Sequence, residues 1–317
     1  MRVLVTGATG FVGRAVLPKL SQEGHHARIL LRPSAKSPRL PRGLPVEAAV
    51  SSLADERGLR AALLGVDSLI HLAGGEGEGS RAELAVSDAD GTARLVAAAA
   101  EAGIRRLIFL SHLGVDRASA FPVLQAKALG EAAVRQGRVP FTILRSAIAF
   151  GPDDDWTTSM AMTLSLSPGI YLIPGADTTT LQPIWVEDLA TALVWALDEP
   201  ALVGRTYEIG GPEYLTWREI LGLVMRETGV RRVLAGSPAP VVRALIRVGE
   251  MLLRRPPFTP FLVDYLAANR VASLETLPRA FGLQPARMEA QLEYLRGRRW
   301  GLVWLQRQLR REAGEHG

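Results

Sequence analysis

The opening residues, Arg2-Val3-Leu4-Val5-Thr6-Gly7-Ala8-Thr9-Gly10-Phe11-Val12-Gly13, constrain the fold more than any other stretch. A β-branched apolar run meets glycines spaced G-x-x-G-x-x-G. A helix-period segment then places Val12, Val16 and Leu20 on one face. Such a turn needs backbone freedom at its glycines and lets the main chain come close to a pyrophosphate, which then rests on the positive end of the helix. Gly7, Thr9, Gly10, Phe11, Val12 and Gly13 are the residues expected to line that contact. A glycine triplet alone says little, but its place between a strand and a helix gives it meaning.

The pattern continues with strand-like runs at Ala27–Leu31, Ser68–Ala73, Leu107–Ser111 and Phe141–Leu144. Helical segments at Leu59–Leu64, Gly91–Ala102 and Leu124–Gln136 separate them. Apolar strands alternating with helices predict an α/β fold, a Rossmann-type doubly wound parallel sheet covered on both faces. A smaller, mostly helical C-terminal lobe is expected beside it. The expected division is residues 1–152 for the dinucleotide-binding domain, rejoined by about 181–212, with 153–180 and 213–317 forming the lobe.

Composition narrows the function classes. The chain has 317 residues, no cysteine, 48% apolar and 22% charged residues. Disulfides, thiolate metal sites and a cysteine nucleophile are excluded. No run approaches the roughly 18 uncharged apolar residues of a membrane span, and the N-terminus lacks a signal-peptide layout. A cytoplasmic location is expected, with the inner membrane face as a peripheral alternative. The net charge of +5 suits an anionic partner, but the arginines are spread along the chain without a nucleic-acid-binding pattern, so no nucleic acid is expected. His25-His26 has no third ligand at metal spacing, no metal is expected, and no G-x-S-x-G elbow is present.

The end of the second strand bears on cofactor choice. A fold that prefers NAD(H) places a carboxylate there for the ribose 2′-hydroxyl. Here the strand runs Ile29-Leu30-Leu31-Arg32-Pro33-Ser34-Ala35-Lys36, with two cations and a hydroxyl but no acid. Arg32 and Lys36 are therefore expected to hold a 2′-phosphate, which predicts NADP(H) over NAD(H).

VTGATGFVG, DSLIHLAG (67–74), GTARLVAAAAEAG (91–103), RRLIFLSHLG (105–114), FTILRSAIAFGP (141–152) and QPIWVEDLA (182–190) follow in an order that resembles the short-chain dehydrogenase/reductase superfamily. Within it the chain is most similar to the extended and atypical branches, including NmrA-like proteins and the nucleotide-binding accessory subunit of respiratory complex I. GRTYEIGGPEYLTWREIL (204–221) and FTPFLVDYLAANRV (258–271) look like the latter. The resemblance implies that Ala73, Gly74 and Ser111, at strand ends, also contact the dinucleotide. It further implies a serine or threonine, a tyrosine and a lysine acting together, the last two spaced Y-x-x-x-K. Lys127 fits, and would bind the nicotinamide ribose, but the residue four before it is Val123. His112 stands where the family hydroxyl usually sits; imidazole exchanges protons near neutral pH, so His112 is the candidate replacement donor. Asp88, Ser146 and Ser51-Ser52 also depart from the family pattern. The alternatives for Lys127 are a ribose ligand or a helix-surface partner of Glu131.

In the back half, Asp153-Asp154-Asp155 is expected to cap a helix, and Thr216 with Glu219 to form a capping box for Trp217–Glu227. Trp156, Met160, Met162, Tyr171, Trp185 and Phe258 suggest either an apolar pocket or ordinary core. Residues 241–255 and 298–311 mix apolar stripes with arginines, so each is a surface for a core or second subunit, or for an anionic membrane. Two functional readings follow: an NADP(H)-dependent reductase or epimerase with a non-standard proton donor, or a nucleotide-binding accessory, assembly or sensor protein without turnover. Any substrate would be small and apolar.

Overall fold

A computed structural model of the chain describes residues 1–33, 43–74, 89–119, 121–174, 179–252 and 268–309. Ser34, Lys36, Asp88, Arg254, Arg255, Phe258 and most of the glycine-rich stretch 74–80 lie outside the described residues.

The chain divides into two compact units. The first comprises Met1–Ser146, Val186–Ile209 and Ala272–Gln284. The last of these segments, assigned by sequence to the lobe, falls in this unit. Its elements are β1 (Arg2–Thr6), α1 (Phe11–Gln22), β2 (His26–Leu31), β3 (Val46–Val50), α2 (Glu56–Leu63), β4 (Ser68–His71), α3 (Gly91–Glu101), β5 (Arg106–His112), α4 (Pro122–Gln136) and β6 (Phe141–Ser146). The second unit supplies α5 (Trp156–Leu166) and β7 (Ile170–Pro174), and the first resumes with α6 (Val186–Asp198) and β8 (Arg205–Ile209).

Seven parallel strands form one sheet in the order β8-β6-β5-β4-β1-β2-β3. Leu4, Leu69 and Leu107 are completely or almost completely buried with Leu59, Leu95 and Ile143, so this part of the sheet is covered as a Rossmann-type fold requires. β3, with its sequence Val-Glu-Ala-Ala-Val, carries no apolar alternation that would announce a strand. It is an edge strand, held by backbone pairing to β2. Buried Arg106, at the start of β5, donates to the carbonyls of Ala196 and Glu199 and to Thr142 Oγ1. The guanidinium so satisfies carbonyls at the C-terminal end of α6, where a helix is negative.

The second unit comprises Ala147–Trp185, Gly210–Val271 and Pro285–Gly317. Its later elements are α7 (Trp217–Thr228), β9 (Val233–Ser237), α8 (Ala239–Leu252) and, after the first unit's α9 (Thr276–Phe281), α10 (Trp300–Leu309). β9 pairs in parallel with β7. The expected capping box is present: Glu219 N donates to Thr216 Oγ1 at 3.3 Å and Thr216 N to Glu219 Oε2 at 2.7 Å. Of the three aspartates before α5, Asp154 does the capping. Its carboxylate accepts from the amides of Thr157 (2.8 Å), Thr158 (3.1 Å) and Gly151 (2.9 Å), and burial pushes its pKa up to about 6. Trp156, Met160 and Met162 are buried, and Trp156 stands edge-on to Trp217, which places them in this unit's core.

Candidate dinucleotide site

β1 lies between β2 and β4, so the chain leaves β1 toward one side of the sheet and later fills the other. Parallel sheets bind ligands at such a reversal, beyond the carboxyl ends of the strands. The glycine loop occupies that position. Gly7 has φ +71°, which L side chains rarely adopt, and a Cβ there would sit 2.8 Å from Leu72 C and Ala73 N. A Cβ on Gly13 would sit 2.4 Å from Gly7 O and 2.6 Å from Ala8. The loop closes with Gly10 N donating to Gly7 O at 3.0 Å. No side chain caps α1 at Gly10, and its first turn holds no acid. Its opening amides are therefore left for an anion. This cradle, which side chains would fill, fits a pyrophosphate.

Behind the loop stands a buried polar chain. Thr6 and His71 are direct register partners on β1 and β4. Thr6 Oγ1 and His71 Nδ1 share a 2.5 Å hydrogen bond, Ala73 N donates to Thr6 Oγ1, and His71 Nε2 lies 2.9 Å from Thr92 Oγ1 at the start of α3. Burial, with the charge of Lys127 as a second cause, drives the His71 pKa down to about 3, so the ring is neutral. His71 is the link between β1, β4 and α3. No sequence signal marks that link, because it depends on β1 and β4 being neighbours in register.

Lys127 is buried, contrary to the surface alternative. Its Nζ donates to Ala73 O at 3.4 Å and lies 5.5 Å from the Phe109 ring centre. Glu131, one turn later, lies against Ser111, two residues after Phe109. Strand alternation and the helical turn thus run in register along β5 and α4. Ser111 Oγ donates to Glu131 Oε1 at 2.7 Å, and Arg145 grips the same carboxylate through Nε and Nη2, both at 2.8 Å. Arg135 adds a further bond. The Ser111 hydroxyl, expected on the cofactor, donates its proton within this network on the face of β5 that α4 covers.

His112 emerges half-buried on the opposite strand face. Val123 is buried in α4, only 4% exposed. Leu72 and Ala73, just after β4, pass directly against Gly7, and Gly74 follows them. Arg32 is exposed at the end of β2, and Thr9, Phe11 and Val12 lie in the loop and first turn of α1.

Two outcomes are expected. Gly13→Ala should cost about 2 kcal/mol through backbone overlap, read as roughly thirtyfold weaker binding of nicotinamide dinucleotide in a fluorescence titration. Gly222→Ala, on α7 with no atom near a new Cβ, is the control and should leave the affinity unchanged. For His71 the folded pKa lies below the ordinary 6.5, so the neutral ring's contribution is complete above that value and declines as pH falls toward 3. Between about pH 7.5 and 4.5 the wild type should lose about 2 kcal/mol more unfolding free energy than His71→Gln in urea titrations. Asp154, raised to about 6, acts in the opposite direction in both proteins and cancels from the difference.

Known proteins agree with this geometry. The NAD(P)H-binding family matches residues 7–200. The chain is 30% identical over 263 residues to NADH dehydrogenase (ubiquinone) 1 alpha subcomplex subunit 9, mitochondrial, of Arabidopsis thaliana, covering 80% of this chain and 64% of that protein. It therefore spans under two thirds of that relative's length. It is 33% identical over 269 residues to the (4-alkanoyl-5-oxo-2,5-dihydrofuran-3-yl)methyl phosphate reductase of Streptomyces griseus, covering 78% of this chain and 86% of that one. Its fold is shared with a short-chain dehydrogenase/reductase superfamily protein from Agrobacterium tumefaciens solved with bound NAD, at TM-score 0.70 and 21% identity, covering 97% and 98% of the two chains. Glycine cradle, sheet order and family match together make this chain a member of the NAD(P)H-binding family, in an atypical branch of the short-chain dehydrogenase/reductases.

Proposed function

We propose that the chain holds NADP(H), in preference to NAD(H), as a nucleotide-bound accessory or sensing protein without tyrosine-driven turnover. The observation that carries this reading is Val123, a buried apolar residue four positions before Lys127. A valine can neither give nor take a proton, and the Ser111 hydroxyl that could have assisted is bound to Glu131. When bound, the nicotinamide would supply hydride chemistry. The residues that hold it are retained: the loop glycines seat the pyrophosphate, and Lys127 is the ligand for the nicotinamide ribose hydroxyls. Lysine's compact three-donor head suits that task better than arginine's planar fork. Arg32, exposed beyond β2 where an NAD(H)-specific site carries a carboxylate, is the 2′-phosphate ligand.

A second reading rests on His112. It stands half-buried at the carboxyl end of β5, on the face away from Glu131, where a reductase would need a proton donor. The Streptomyces relative is named a reductase. In this reading His112 protonates an apolar carbonyl or enone substrate that has accepted hydride.

Two measurements test these readings together. Arg32→Glu is expected to weaken NADPH binding about tenfold or more and leave NADH binding unchanged; equal loss for both would refute the 2′-phosphate assignment. NADPH bound to the wild type is expected to survive a panel of quinones, aldehydes and enones without oxidation. Turnover abolished by His112→Ala would replace the first reading with the second.

A further inference from the structure

Among the described residues, the second unit exposes an apolar surface on α8 and α10. On α8, Val241 is 46% exposed, Leu245 55%, Val248 52% and Met251 86%. Steps of four, three and three residues bring these side chains to one side of the helix. Val242 and Ile246, on the other side, are half-buried. The sequence stripe expected to face a core thus faces outward at Val241, Leu245 and Val248, because α8 already has an inward apolar face. On α10, Leu302, Leu305 and Leu309 are exposed in the same manner.

Charge selects the occupant. Residues 241–255, which contain most of α8, hold four arginines and one glutamate, although the whole chain has 37 basic and 32 acidic residues. A net +3 of the chain's +5 therefore sits in this one segment. Arg247 lies exposed beside the outward face of α8. Two copies meeting through such a region would bring like charges together, and nucleic acid offers charge without apolar depth. An anionic bilayer surface offers both. No described helix is long and apolar enough to cross a membrane, so the helix would lie on the surface.

We propose that the second unit rests on the surface of an anionic lipid bilayer, with the outward face of α8 seated among the acyl chains and its arginines among the headgroups. This interaction is independent of dinucleotide binding. Vesicle flotation of the full chain tests it, with phosphatidylcholine alone against phosphatidylcholine and phosphatidylglycerol at about 7:3. The protein is expected to float only with the anionic vesicles and to be released when salt shortens the screening length from about 30 Å to below 5 Å. Leu245→Glu should reduce the bound fraction about tenfold, and Arg247→Gln about fivefold. Both positions are exposed, so thermal unfolding midpoints should not change. Should Leu245→Glu alter folding, Val248→Ser provides the same test with a milder change. Equal binding to both vesicle types, binding to neither, or a dimer in light scattering that Leu245→Glu dissociates would each overturn the proposal, the last in favour of a second copy.

Discussion

The close passage of the β1–α1 loop over the end of β4 is the constraint on which the rest of the structure depends. At Gly7 the main chain runs so near Leu72 and Ala73 that no side chain fits, and Gly13 presses as tightly on Gly7 and Ala8. Thr6, His71 and Thr92 hold this arrangement from beneath by tying β1, β4 and α3 through one neutral imidazole. A charged ring there would be uncompensated in a dry interior and beside Lys127, which is why burial and that lysine both depress its pKa. The loop is a cradle because three elements converge on it, and the helix behind presents uncapped amides.

α4 is fastened to the sheet through buried polar groups. Its side chains reach β5 at two levels. Lys127 meets Phe109 and Ala73, while Glu131 meets Ser111 and the guanidinium of Arg145. The Arg145 pKa is raised chiefly by its hydrogen bonds to Glu131, and the carboxylate is engaged by four donor groups from three residues. One turn before Lys127 the helix presents Val123, and both side chains are buried.

Much of this was legible in the chain itself. Continuous apolar runs and period-3.6 segments announced β1, β2, β4, β5, β6 and their helices to within about three residues, and the glycine spacing marked the cradle. β3 was not legible, because an edge strand is defined by its neighbour's backbone and Val-Glu-Ala-Ala-Val has no pattern of its own. Contacts distant in sequence were equally hidden: Ser111 with Glu131 and Arg145, His71 with Thr6, and Arg106 with the end of α6. Nor does an apolar stripe state whether it faces inward, as the outward face of α8 demonstrates.

The central claim is that a dinucleotide diphosphate occupies the cradle between the ends of β1 and β4. Hydrogen–deuterium exchange of the full chain, with and without saturating NADPH, addresses it most directly. Amides of residues 8–13 and 72–74 should gain protection, together with the segment around Lys127, while α8 and α10 remain unchanged. Ligand binding that protects none of these amides would contradict the account.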